Sequence, residues 1–113
     1  MTNNYEQEYE ELSDFLGCYF NQDWKMEAEN VEGLVKNYLS DFDDPAVDQC
    51  IEEIEEILDL IGSGELDADT FLLKDMFVGY YYPEDGFTGE QWLRYLKSLI
   101  LELRKTVKFQ PIA

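Results

Sequence analysis

The sequence predicts an all-α fold: a single domain over residues 1–113, built as a compact bundle of about five helices with short loops. Three observations carry that expectation. Apolar residues recur three and four positions apart through most of the chain, the spacing that gathers them on one face of a helix. Residues that cap helix N-termini stand in front of these runs. No internal repeat or low-complexity linker separates them, and a hydrophobic content of 45%, with eight Tyr, seven Phe and two Trp, is too rich for a disordered acidic tail.

The first helix is expected at about residues 5–20. Tyr5, Tyr9, Leu12, Leu16 and Tyr19 form its apolar face, which Phe15 and Phe20 widen. Asn4 and Gln7 have the spacing of a capping box. Gly17 weakens this helix and would admit another backbone closely. Asn30 caps a second helix whose stripe is Val31, Leu34, Val35, Tyr38, Leu39 and Phe42. The third opens with Asp44 as cap and Pro45 in the first helical position, buries Val47, Ile51, Ile54, Leu58 and Ile61, and ends at Gly62. A shorter helix carries Phe71, Leu72 and Met76. Residues 78–86 read as extended chain and then a turn. Thr88 and Gln91 form a capping box for a last helix with Trp92, Leu96, Leu99 and Leu103 on one face. Lys97, Arg104, Lys105 and Lys108 gather toward its C-terminal end, where the helix dipole favours cations.

Charge is the strongest global feature. The chain has 26 acidic and 8 basic residues, a net charge of −18. Residues 1–70 hold 21 acidic and two basic residues, whereas residues 71–113 are close to neutral. Solubility of a small domain asks for a net charge of only about 2–8 in magnitude. A field this negative repels nucleic acid and anionic membranes and speeds encounter with basic partners. The acid is continuous along the third helix: Asp41, Asp43, Asp44, Asp48, Glu52, Glu53, Glu55, Glu56 and Asp59, with no Lys or Arg between Lys36 and Lys74. Asp44, Asp48, Glu52 and Glu56 are four apart, and each such like-charge pair disfavours the helix by about 0.2–0.5 kcal/mol. A merely solvated face would mix signs. The ridge therefore predicts a surface for a basic partner. Tyr80 and Tyr82 are secondary contact candidates, because neighbours in the run Tyr80-Tyr81-Tyr82 alternate sides and cannot all point inward.

Catalytic chemistry finds little to use. The chain has no His, which removes the commonest general base and the usual partner of a Ser or Cys nucleophile. Cys18 and Cys50, far apart and in apolar-patterned segments, are expected to be reduced core thiols. Residues 59–70 resemble an EF-hand loop, but Ile61 and Thr70 stand where the third and the closing twelfth ligands belong. The expectation is a non-enzyme with no cofactor, no metal and no small-molecule substrate. The first residues show no basic region followed by an apolar stretch, and no run nears the roughly 20 apolar residues of a membrane span, so the expected location is cytoplasmic.

The run Gly17-Cys18-Tyr19-Phe20-Asn21-Gln22-Asp23-Trp24 resembles a family, the helical immunity proteins of contact-dependent growth inhibition (CdiI-type), with Asn21 standing where many relatives have His. The likeness continues through the helices after Asn30 and Asp44-Pro45, through Tyr82-Pro83 with Asp85-Gly86, and into Glu90-Gln91-Trp92-Leu93. It implies a protein that binds and blocks the C-terminal toxin domain of a cognate contact-delivered protein, often a nuclease with a basic surface. It does not fix the contact residues, which rest on the charge pattern. Within the run, Gly17, Tyr19, Phe20, Gln22, Asp23 and Trp24 are read as an architectural corner. Tyr19 and Phe20 complete the first helix, the chain turns at Asn21-Gln22, Asp23 anchors local backbone and Trp24 folds onto the core. Two other readings are an acidic nucleic-acid mimic that inhibits a DNA- or RNA-binding protein, and a degenerate calcium module on residues 59–70.

Overall fold

The computed structural model describes residues 5–76 and 78–110, and the described residues form helices and turns with no strand. The expected first helix is two pieces, α1 (Tyr5–Glu8) and α2 (Glu10–Tyr19), separated at Tyr9 by a non-helical backbone (φ −122°, ψ 57°). The predicted cap at Asn4 lies outside the described residues. A four-residue helix, α3 (Trp24–Glu27), follows the corner. Asn30 caps α4 (Val31–Asp41), its side chain accepting the Gly33 N–H.

The long helix α5 (Asp44–Gly62) is capped one residue earlier than expected: Asp43, not Asp44, accepts the Ala46 N–H. Pro45 then sits at the second helical position, where its missing N–H is still no loss. Asp67 caps the short α6 (Ala68–Thr70), and the chain continues into a π-helical turn over Phe71–Asp75, with Met76 N–H on the Phe71 carbonyl. A 3-10 turn over Tyr82–Asp85 ends at Gly86 in the left-handed region (φ +86°). The predicted capping box at Thr88 and Gln91 is formed and opens α7 (Gly89–Leu103).

Helix α7 packs on both α4 and α5, and α2 on α5 and α4. Trp92 lies at the centre, fully buried, with Phe20 edge-on at 5.2 Å and Tyr82 stacked at 5.1 Å between ring centroids. Phe15 and Tyr38 join α2 to α4 at 4.4 Å. The two cysteines differ. Cys50 is buried, and burial pushes its thiol up to about 12, whereas Cys18 is exposed and is not the core thiol its neighbourhood suggested. Cys18 follows Gly17 on the open side of α2, while the adjacent Leu16 and Tyr19 hold the core face.

Gly17 is not where backbones meet, since an added Cβ there would touch nothing within 4 Å. The close approach is at Gly79. A Cβ on Gly79 would fall 2.4 Å from the Gln22 nitrogen and 2.5 Å from the Asn21 carbonyl carbon. The Gly79 and Tyr80 N–H groups both donate to the Phe20 carbonyl, at 2.7 and 3.1 Å. The segment before the Tyr triplet thus clamps the corner that ends α2.

Candidate partner-binding surfaces

The acidic ridge exists along α5, but the fold divides its members. Asp43 is spent on the α5 cap. Asp41 accepts the Tyr19 hydroxyl, and Tyr19 is held above the ordinary phenol range by burial first and by that carboxylate second. Arg104, at the end of α7, reaches Asp48 at 2.7 Å and Asp44 at 3.4 Å. Lys97 of α7 pairs with Glu55 at 3.3 Å. Glu52 and Glu56 stay exposed, and among the described residues no cation pairs with either. The basic end of α7 therefore neutralises one edge of the ridge and leaves the Glu52–Glu56 edge open.

Glu53 does not belong to that surface. It is only 4% exposed. Its carboxylate accepts the Leu12 N–H at 3.1 Å and the Gln49 side-chain amide at 3.0 Å. The donor belongs to the first turn of α2, whose own N-cap residue Tyr9 makes no side-chain cap bond. A carboxylate from α5 thus satisfies an orphan N–H at the positive end of another helix. The spacing held a signal for this position: Cys50, Glu53 and Ile57 stand three and four apart, and both neighbours are buried.

The tyrosine candidates are also revised. Tyr82 is fully buried and Tyr80 is 9% exposed, whereas Tyr81 is 58% exposed. The three do alternate sides, but Tyr81 faces outward while Tyr80 and Tyr82, where a 3-10 turn begins, face the core. Tyr82 and Tyr80 donate their hydroxyls to Asp69 and Asp85, respectively. Both phenols are raised above their usual range, by burial first and then by these carboxylates.

At the corner, Tyr19 and Phe20 complete the buried face of α2 and the chain turns at Asn21-Gln22, as expected. The anchoring residue is Asn21, not Asp23. Asn21 Oδ1 accepts the Asp23 N–H at 2.9 Å, and its Nδ2 donates to the carbonyls of Gly17 and Cys18. The exposed Asp23 makes no side-chain cap bond with α3. Gln22 is exposed, its backbone lying under Gly79. Trp24 does fold back, meeting Tyr80 edge-on at 4.9 Å, but it stays half-buried and lines an open hollow of about 470 Å³ with Glu29, Glu32, Tyr80, Asp85 and Tyr95. Sequence patterning missed this hollow, because its walls come from three separate segments.

In the loop resembling an EF-hand, the polar side chains serve helix ends. Ser63 donates to the Leu60 carbonyl, and Asp67 accepts both the N–H and the hydroxyl of Thr70. Among the described residues no group of three His, Cys, Asp or Glu side chains is placed to hold a metal ion, and no helix is long and apolar enough to cross a membrane.

A family model described as CdiI immunity protein matches residues 8–100. No curated protein matches the chain. Among solved structures, it is similar to a chain in the crystal structure of a CdiA-CT/CdiI complex from Y. kristensenii 33638, with 28% identity and a TM-score of 0.75. That match covers 85% of this chain and 96% of the other.

Proposed function

The chain belongs to the CdiI immunity protein family, and from that premise we propose that it binds the toxin domain of a cognate contact-dependent inhibition system and neutralises it without catalysis. The observation that carries this reading is the family match over residues 8–100, together with the likeness over most of both chains to a member of a CdiA-CT/CdiI complex. The partner is a basic toxin domain, a nuclease by the logic of the charge. An enzyme that works on phosphodiesters gathers Lys and Arg around its substrate groove. A surface with unneutralised carboxylates can occupy such a groove in place of nucleic acid. The open Glu52–Glu56 edge of α5 supports this mode, with the paired Asp44, Asp48 and Glu55 beside it.

Co-expression with the cognate toxin domain tests the function. Restored growth and a co-purifying complex are expected. Unrelieved toxicity would overturn the assignment. A nucleic-acid mimic would instead bind several unrelated basic proteins, so titration against a panel of non-cognate basic nucleases separates the two readings.

A further inference from the structure

At the corner itself, where Trp24 meets the Gly79–Tyr80 segment, lies a feature that the α5 ridge does not explain. Trp24 and Tyr80 meet edge-on, and both line two hollows, of about 470 and 330 Å³. No residue of α5 lines either one. The walls are aromatic and the rims are acidic: Glu29 and Glu32 border the larger hollow, Glu84 the smaller, and Asp85 both. Among the described residues no cation pairs with Glu29 or Glu84, and Glu32 has a solvent-exposed partner in Lys36 at 3.5 Å. Tyr80 is fixed in place by its hydroxyl bond to Asp85 and by stacking on the buried Trp92, with 5° between the planes. The Trp24 ring already attracts a cation of its own chain: the Lys25 ammonium stands 5.6 Å from its centroid.

We infer that the Trp24–Tyr80 groove receives an arginine side chain of the partner toxin, as a contact separate from the α5 edge; this rests on the toxin-binding function proposed above. A guanidinium is planar and weakly hydrated, so it can lie against an aromatic face and donate in-plane hydrogen bonds to carboxylates beside it. Those are the two chemistries that the groove offers together. A lysine ammonium would use the carboxylates but gain less from the ring planes. An apolar side chain would offer nothing to the unpaired Glu29 and Glu84 carboxylates at the rims. The half-buried Trp and preorganised Tyr fit the residue types that dominate binding energy at interfaces. Lys25 competes with the incoming group for the Trp24 face.

Calorimetry with the cognate toxin domain tests this. Changing the exposed rim residues by Glu29→Gln with Glu84→Gln is expected to weaken binding roughly ten-fold at an unchanged melting temperature. Lys25→Gln is expected to tighten binding more than Lys108→Gln, although the change in net charge is the same. Equal responses to Lys25→Gln and Lys108→Gln, or unchanged affinity in the double variant, would overturn the groove. If the wild-type chain does not bind that toxin at all, the proposed function fails, and the groove is judged alone by NMR titration with N-acetylarginine amide. Saturable shifts at the Trp24 indole and the Tyr81 amide, absent with N-acetylglutamine amide, would uphold it. Shifts concentrated on α5, or no shifts, would sink it.

Discussion

The carboxylate of Glu53 accepts the backbone N–H of Leu12 at 3.1 Å, tying the middle of α5 to the first turn of α2. This bond converts an apparent member of a charged surface into a structural residue. Replacing Glu53 by Ala leaves a buried N–H without its acceptor, at a cost of about 1–3 kcal/mol. Glu53→Gln keeps an acceptor oxygen and is expected to cost less. Urea unfolding of both variants checks the order. If Glu53→Ala unfolds at the wild-type urea concentration yet loses toxin binding, Glu53 belongs to the interface after all.

Gly79→Ala is expected to be among the most damaging small substitutions in the chain. The new methyl would meet backbone atoms of Asn21 and Gln22, which cannot rotate away as a side chain would. Overpacking of this kind costs about 1–3 kcal/mol, and more when the obstacle is rigid. Gly17→Ala meets no neighbour within 4 Å and replaces a helical glycine, so it should stabilise α2 by up to about 1 kcal/mol. Thermal melts of the two variants should move in opposite directions.

At the same corner, Asn21 and Asp23 exchange the roles that their sequence context suggested. Asn21→Ala removes an acceptor for the Asp23 N–H and donors to two carbonyls. The bonds are exposed, so a loss of about 0.5–1.5 kcal/mol is expected. Asp23→Ala removes no side-chain bond of α3 and should melt as the wild type does.

These cases show where sequence patterning succeeds. Helix starts at Asn30 and Thr88 were legible because a cap and its N–H donor lie three residues apart. At Asp43-Asp44 two adjacent candidates could cap, and only geometry chooses between them. The ridge was legible as a run of acid, but not its division, because Arg104 and Lys97 arrive from a helix remote in sequence. Alternation along the Tyr triplet was legible, but not its phase: stacking on Trp92 turns Tyr80 and Tyr82 inward and leaves Tyr81 exposed. The Trp24 groove was hidden for the same reason as the α5 pairings: long-range packing assembles it.

Glu11 gives the fold a pH dependence with a definite sign. Its carboxyl is held above the usual carboxylate range, by burial first, then by the charges of Asp14, Glu53, Glu10 and Asp43. One of its oxygens is buried with no hydrogen-bond partner among the described residues. A raised folded-state pKa means that the folded chain holds this proton more tightly than the unfolded chain. The resulting stability is fully present below the unfolded value and is lost as pH rises through the folded one. Glu11→Gln should therefore raise the melting temperature near neutral pH. That advantage should shrink as pH falls below about 4, where the wild-type carboxyl becomes protonated in both states. An advantage that does not vary with pH would assign the effect to packing instead.

Opposite changes on the two edges of the α5 ridge should have opposite effects on toxin association. Glu52→Lys with Glu56→Lys reverses charge at positions that no described cation offsets, so it should slow association with a basic toxin and flatten its salt dependence. Arg104→Gln releases Asp44 and Asp48 from their shared cation. Exposed pairs of this kind stabilise by only about 0–1 kcal/mol, so the variant should stay folded at room temperature. Its α5 surface becomes more negative, and association should accelerate, most strongly at low salt. Stopped-flow rates at several ionic strengths decide the matter. Equal rates for wild type and both variants would move the electrostatic contact off α5, leaving the Trp24 groove as the acidic surface to examine.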